Sequence, residues 1–445
     1  MMRYAFKADS LQKHLDHAQW WPPEILRQHQ AGLLVQLIRH ARANVPWYAD
    51  RLDEGILSAD GKLDLDAWRA VPLLTRSEIR RAGSALHSSQ LPPEHGRVSQ
   101  QQTSGSTGEP LVIQTTELTR RVWIANTLRK HSWQGSDMEK KMAVVRRRID
   151  DGADPPDGVT LSTWGTATVG RVPTGPCVVL SVTSTTSQQA EWLAREQPDY
   201  LQTFPSVAFE LARHVQSRGQ SLEKLQQVLT FGEVLEPAVR KACRDAWNAE
   251  VVDSYSANEV GHVAVQCASD GPYHVQAEHL LVEVLDSDGN QCGRGQTGRV
   301  VVTDFFNYAM PLLRYDIGDY ATVGDACSCG RNLPTLRNIV GRQRNMFVLP
   351  GGETIWTALN VDPLEVLDRE LPIRQFQVAQ VSHGQLEARL VSDRPLSEAE
   401  QGVIRTMLAD ATSDDFDVRF TYVDKIPRGP TGKFEDFRCE LGRPN

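Results

Sequence analysis

At 445 residues the chain is longer than one ordinary hydrophobic core supports, so two or three domains are expected. Its 40% hydrophobic and 23% charged content is that of a soluble globular protein, and no apolar run approaches membrane-spanning length. A net charge of −8 argues against a nucleic-acid binder or a protein held on an anionic membrane, and seven sparse cysteines with no signal-peptide core point to a reducing cytoplasm rather than a secreted disulfide framework.

Apolar residues at helical spacing (Ile25, Leu33, Leu34, Leu37, Ile38) predict helix within the first fifty residues. Thr75 or Ser77 is placed to cap a short helix that follows Val71-Pro-Leu-Leu74. The next stretch, Gln102-Thr-Ser-Gly-Ser-Thr-Gly-Glu-Pro110, organises the rest of the chain. Gly105 and Gly108 permit turns that a Cβ would obstruct and leave amide N–H groups open. Thr103, Ser104, Ser106 and Thr107 add hydroxyl donors. Such a loop before a β-branched run (111–116) suits a polyphosphate; a solvated Ser/Gly linker is the other reading. It is not a Walker loop, because no Gly-Lys-Ser/Thr follows.

A helix is expected over Glu117–Trp133, then short β-type runs at Ala143–Val145 and Cys177–Val182. Helices are expected at Gln188–Arg195 and Val207–Arg218, a buried strand at Val228–Glu233, a helix at Pro237–Trp247 and a strand from Glu250. This rhythm argues for an α/β fold with a partly parallel sheet. From Leu280 the pattern changes to half-exposed strands, Leu281–Leu285 and Arg299–Thr303, with a hairpin-like turn at Asp286–Asn290 between them, so a β-rich subdomain is expected at about 280–340. Two β runs (Phe376–Val381, Leu386–Leu390), a helix (Ser397–Asp410) and a strand (Val418–Val423) then describe a small α+β domain. The expected division is a large domain, 1–341, and a small one, 342–445.

Four constellations could carry chemistry. In Asp253-Ser-Tyr-Ser-Ala-Asn-Glu-Val-Gly261, Glu259 follows a buried strand, where a carboxylate could hold Mg²⁺ beside a phosphate, or be an ordinary solvated loop residue. In Pro311-Leu-Leu-Arg-Tyr-Asp-Ile-Gly-Asp319, an aspartate at a strand end could accept from two ribose hydroxyls, or cap a turn. In Pro427-Arg-Gly-Pro-Thr-Gly-Lys-Phe434, two glycines and two prolines stiffen a turn presenting Lys433, which could deliver one positive charge to a developing anion or be a surface lysine. Cys267, His274, Cys327 and Cys329 make a closed tetrahedral zinc set if the fold brings them together, and four unrelated side chains if it does not.

Taken in order, these pieces resemble the adenylate-forming superfamily, within it the phenylacetate–CoA ligase type. The resemblance runs from Pro72-Leu-Leu-Thr-Arg-Ser-Glu-Ile-Arg80 to Lys433. It includes TSGSTGEP, Thr203-Phe-Pro-Ser-Val-Ala-Phe-Glu-Leu-Ala212, Phe231-Gly-Glu233, SYSANEVG, Ala309-Met-Pro-Leu-Leu-Arg-Tyr-Asp-Ile-Gly-Asp319 and CSCGR followed by IVGRQRNMFVLPGG.

The resemblance implies a large multi-subdomain α/β N-terminal adenylation domain and a small, mobile α+β C-terminal domain with ATP between them. The loop of Thr103, Ser104, Gly105, Ser106, Thr107 and Gly108 would hold the β- and γ-phosphates. Gly232, Glu233 and Tyr255 would flank adenine in a site that includes Asp253, Glu259 would hold Mg²⁺, and Asp319 with Arg342 would hold the ribose. Lys433 would bridge the substrate carboxylate and the α-phosphate, and after pyrophosphate leaves, rotation about a hinge near Asn345 would admit coenzyme A or another acceptor. The acyl pocket would use Trp164, Gly165, Phe204, Phe209, Ser256, Ala257 and His262, which suit a flat aryl acid, with His262 reading a ring hydroxyl or amino group. Zinc at the Cys3His set is implied too, and a homodimer is compatible. Departures fall at Glu109, where the family often has lysine, at Arg344-Asn345 in the hinge, and at Glu353-Thr-Ile-Trp356. They keep open transfer to an amine, a carrier-protein thiol or another small nucleophile. A non-catalytic nucleotide-binding relative is the remaining alternative, which the presence of Lys433 and Glu259 opposes.

Overall fold

The computed structural model describes every residue except 1–7, 103–110, 148–151, 268–269, 343–345, 350–353, 357–370, 413–415, 430–431 and 442–445. The phosphate-loop candidates Thr103 to Gly108, the departure at Glu109 and the hinge candidate Asn345 therefore lie outside the described residues. The chain divides into two compact units, each assembled from separated segments: 1–139, 162–175 and 252–339 form the first, and 140–161, 176–251 and 340–445 the second.

The first unit begins with two helices, Ala8–Ala18 and Pro23–Asn44, the latter opened by a proline at its first turn. The short helix Arg76–Ala82 is fixed by a capping box: Thr75 accepts from the Glu78 N–H while the Glu78 carboxylate accepts from the Thr75 N–H. Thr116 caps the helix Glu117–Trp133 in the same way with Thr119. The strands of this unit lie in the order Leu280–Leu285, Thr297–Asp304, Tyr315–Val323, Thr335–Arg342, Tyr273–Val275, Gly261–Gln266, Glu250–Ala257. The first two form the expected antiparallel pair, but Thr297–Asp304 is not half-exposed: residues 300–304 are buried on both faces. Val300 and Val302 enter the core, while the other face is covered by Arg314, whose N–H donates to Thr303 and whose guanidinium pairs with Glu283.

The second unit contains the parallel part of the α/β pattern. Gln227–Phe231, Tyr200–Thr203, Met142–Arg146 and Cys177–Ser181 run parallel in that spatial order, and Val159–Leu161 adds an antiparallel edge. The apolar runs predicted this, since a parallel strand is covered on both faces; Cys177–Ser181 is buried throughout. Helices Thr186–Glu196, Pro205–Ser217 and Pro237–Trp247 pack Trp192, Phe209, Val239 and Trp247 into the core. The same unit holds the small α+β element. A hairpin, Ile373–Ser382 with Gln385–Ser392, is flanked in parallel by Phe437–Cys439 and Asp417–Tyr422, with the helix Glu398–Thr412 between the second and third strands in sequence.

Candidate active site

In the second unit the segment carrying Lys433 is folded back on itself and docked. The Gly429 N–H donates to the Lys433 carbonyl and the Gly432 N–H to that of Gly429, both at 2.9 Å, so the two glycines close a tight turn under the lysine. Arg428 donates to Ser206 Oγ (2.7 Å) and pairs with Glu210 (2.8 Å) on the helix Pro205–Ser217. Glu233 clamps the other side, accepting from the Ser206 N–H (3.0 Å) and from the Phe434 N–H (2.6 Å). A carboxylate accepting from backbone N–H groups makes strong, directional bonds. The result puts Lys433 against Gly232, where a side chain would stand 3.1 Å from its Cε. Gly232 has φ +80°, a conformation that glycine adopts freely. Phe204, at the start of the helix, is buried and packs on Phe231 at 4.9 Å. Gly232, Glu233, Phe204 and Lys433 are thus one constellation. Phe209 also belongs to this unit, in the core, and with Arg147, Ser184, Glu210, Arg428 and Gly432 it borders a cavity of about 1200 Å³.

The first unit gathers a second set. Tyr255 donates its hydroxyl to Asp319 Oδ2 at 2.8 Å, and both side chains are buried. Asp319 ends the turn opened by Asp316, which accepts from the Gly318 N–H. Glu259 is buried and accepts from Arg76 and from the Tyr315 hydroxyl, both at 3.3 Å. Burial and the Glu259 charge push the Tyr315 phenol far above its ordinary range, so it remains a donor. Asp253 accepts from the Tyr273 hydroxyl at 2.8 Å. Ser256 and Ala257 end the strand Glu250–Ala257 and are half-buried. Trp164 meets His131 edge to face, ring centres 5.2 Å apart, and Gly165 beside it has φ +106°. His262 is buried against Thr127, and its pKa is pushed down to about 3 by burial and by the Lys130 charge. Arg342, at the end of the strand Thr335–Arg342, falls in the second unit and not in this one.

Cys267, His274, Cys327 and Cys329 converge in this unit, all four ligand atoms within 4.8 Å of one another. Cys267 and Cys327 sulfurs lie 3.7 Å apart, and Cys329 Sγ lies 3.3 Å from His274 Nε2. A tetrahedral site with Zn–S bonds of about 2.3 Å has sulfur–sulfur edges of about 3.8 Å, so the donor set and its spacing fit zinc. Trp133 packs edge-on against His274, and Arg331 lies over Trp133, closing the site with apolar and cationic cover.

Sequence reasoning passed over Arg428, Arg76 and Lys130. Arg428 sits inside the lysine motif between Pro427 and Gly429, a signal that it is positioned. Arg76 opens its helix inside the Pro72–Arg80 motif, whereas Lys130 carries no such mark and reads as an ordinary basic residue in a last helical turn.

A family model described as AMP-binding enzyme matches residues 159–306, and one described as CapK C-terminal domain matches residues 364–437. The chain is 27% identical over 394 residues to a phenylacetate–coenzyme A ligase of Thermus thermophilus, covering 85% of this chain and 81% of that one. It is 25% identical over 361 residues to the Pseudomonas putida phenylacetate–coenzyme A ligase, covering 79% and 77%. Among solved structures it resembles 2-hydroxyisobutyryl-CoA ligase in the postadenylation state (TM-score 0.73, 18% identity, 95% and 91% covered). It also resembles an anthranilate CoA ligase in complex with anthranoyl-AMP (TM-score 0.55, 17% identity, 75% and 65% covered). At these identities the structural likeness establishes the fold.

Proposed function

We propose that the chain, which is similar to phenylacetate–CoA ligases and matches the AMP-binding enzyme family model, is an adenylate-forming ligase that activates an aryl carboxylic acid with ATP and passes the acyl group to the thiol of coenzyme A. The observation that carries this is Lys433, delivered to Gly232 by a turn that Arg428 and Glu233 hold in place. The chemistry requires two anions, the substrate carboxylate and the α-phosphate of ATP, to meet. A lysine ammonium fixed between them offsets their repulsion and binds the charge that develops as the carboxylate oxygen bonds to phosphorus and pyrophosphate departs. Because its turn is closed by backbone hydrogen bonds, Lys433 needs little reorganisation at that moment.

Asp319, which accepts from the Tyr255 hydroxyl, would bind the ribose hydroxyls. With its hydroxyl committed, Tyr255 offers a base only its ring. Glu259 would hold Mg²⁺, which when bound neutralises phosphate charge; Arg76 and Tyr315 hold that carboxylate in place. The Cys3His set would hold a structural zinc with no open coordination position, remote from the chemistry in role. No helix of the described residues is long and apolar enough to cross a membrane. The seven cysteines, none joined in a disulfide among the described residues, support a reducing cytoplasm as the enzyme's location. The proposed domain division remains 1–341 and 342–445, with the small sheet and its helix as the C-terminal body.

The test is carboxylate-dependent ATP–pyrophosphate exchange over benzoic, hydroxy- and aminobenzoic, phenylacetic and short fatty acids, followed by addition of coenzyme A. Exchange with an aryl acid and an acyl-CoA of the corresponding mass are expected. Exchange with no acid, in protein that binds ATP, would contradict the proposal.

A further inference from the structure

The last turn of the helix Glu117–Trp133 buries a lysine and a histidine in succession: Lys130 is 4% exposed and His131 5%. Beside them lies His262, on the strand Gly261–Gln266, close enough for the Lys130 charge to act on both imidazoles. Among the described residues no side-chain hydrogen bond or ion pair reaches the Lys130 ammonium. Asp253 supplies an opposing charge, but that carboxylate is engaged by the Tyr273 hydroxyl. Burial pushes the lysine down to about 8. An ammonium at the edge of so buried a side chain, with no acceptor among the described residues, is a group that a ligand can complete.

The histidine defines what that ligand is. Thr127 donates its one hydroxyl proton to the Trp123 carbonyl at 2.8 Å. Its 3.1 Å contact with His262 Nε2 is therefore an N–H donation from the imidazole. His262 Nδ1 is then a bare acceptor, and it is buried with no hydrogen-bond partner among the described residues; His131 Nδ1 is in the same condition. So the cluster offers a donor lacking an acceptor and an acceptor lacking a donor. A hydroxyl is both. A second carboxylate would satisfy Lys130 but set an acceptor against Nδ1. An amino group would satisfy Nδ1 but set a donor against the ammonium. An unsubstituted ring would leave both unpaired. Trp164 meets His131 edge to face, and at the neighbouring Gly165 an added Cβ would meet nothing within 4 Å.

We propose that Lys130 and His262, flanked by His131, form a receptor for a hydroxyl group on the acid, so that the substrate is a hydroxyaryl carboxylic acid whose hydroxyl donates to His262 Nδ1 and accepts from Lys130 Nζ. This rests on the ligase reading and on Trp164 and His262 belonging to its acyl pocket. A site built to hydrogen-bond a hydroxyl rejects the analogue lacking it strongly, because its own buried groups are left unpaired.

The experiment measures ATP–pyrophosphate exchange with benzoate, meta- and para-hydroxybenzoate, para-aminobenzoate and terephthalate, in the wild type and in Lys130→Met, with calorimetric binding of the same acids and thermal unfolding of both proteins. One hydroxybenzoate is expected to exceed benzoate in kcat/KM by about 100-fold or more. Lys130→Met should lose most of that preference, its kcat/KM for the hydroxybenzoate falling towards that for benzoate, and should unfold at no lower a temperature, since an unpaired charge has gone from the interior. Equal use of benzoate and hydroxybenzoates by the wild type would overturn the receptor. So would a Lys130→Met enzyme that keeps the preference, or one that loses stability with the preference intact, which marks Lys130 as a structural partner of Asp253. Calorimetry separates the two readings. Hydroxybenzoate binding that needs Lys130, without exchange, supports the receptor and contradicts the ligase; exchange without hydroxyl preference does the reverse.

Discussion

Replacing Gly232 with alanine tests whether the contact between this turn and Lys433 serves the chemistry. At φ +80° an L side chain costs about 1–2 kcal/mol. The new Cβ would stand 3.1 Å from Lys433 Cε, 3.4 Å from its Nζ and 3.3 Å from the Phe204 ring. Phe204 is buried and held by Phe231, so the flexible lysine yields by a few tenths of an ångström. The stability loss should therefore be about 1–2 kcal/mol, a fall in Tm of about 1–2 °C for a chain of this length. Adenylation should suffer more than that loss explains. Since a misplacement of about 1 Å costs roughly 100-fold in rate, a smaller shift of the charge-bearing amine should cost about 10-fold. Pyrophosphate exchange reads this step, and thioester formation from preformed acyl-adenylate reads the step that does not need Lys433. A Gly232→Ala enzyme with wild-type exchange, or with both half-reactions slowed equally, would refute the reasoning.

Other outcomes follow from buried charges and the metal set. Arg129 and Glu278 are both essentially inaccessible and share two contacts, so Glu278→Gln should destabilise by about 3–5 kcal/mol in denaturant titration, whereas replacing both by Met and Leu should be near neutral. Elemental analysis should find one zinc per chain, lost with a lowered Tm in Cys329→Ser; a metal-free wild type of unchanged Tm would contradict this. Lys130 titrates near 8 when folded and near 10.5 when unfolded, so between those values the unfolded chain binds more protons and stability rises with pH. The gain should be roughly 3 kcal/mol, and Lys130→Met should abolish it.

The parts of the fold carried by local signals could be read directly from the chain. Thr75 and Glu78 sit three residues apart and form the capping box, and the helices Glu117–Trp133 and Pro237–Trp247 have the expected limits. The hairpin of Leu280–Leu285 with Thr297–Asp304 was visible in its turn residues, but its burial was not, because the cover comes from Arg314, which no periodicity announces. The candidate site was less legible for the same reason. Arg76 meets Glu259 across 183 positions, Arg428 meets Glu210 across 218, and Phe434 meets Glu233 across 201. Motif residues such as Glu233 and Lys433 mark themselves by spacing; the partners that aim them do not. Lys130 is the plainest case. A lysine in the last turn of a helix suits the helix dipole at the surface, and only packing against His262 and Asp253 shows it to be inside.

The most direct test of the central claim separates the two half-reactions in Lys433→Ala. If Lys433 supplies the charge that lets carboxylate and α-phosphate meet, the variant should lose ATP–pyrophosphate exchange by a factor of 10² or more while forming thioester from preformed acyl-adenylate and coenzyme A at near the wild-type rate. Exchange that survives the substitution, or equal loss of both half-reactions in a folded protein, would contradict the account.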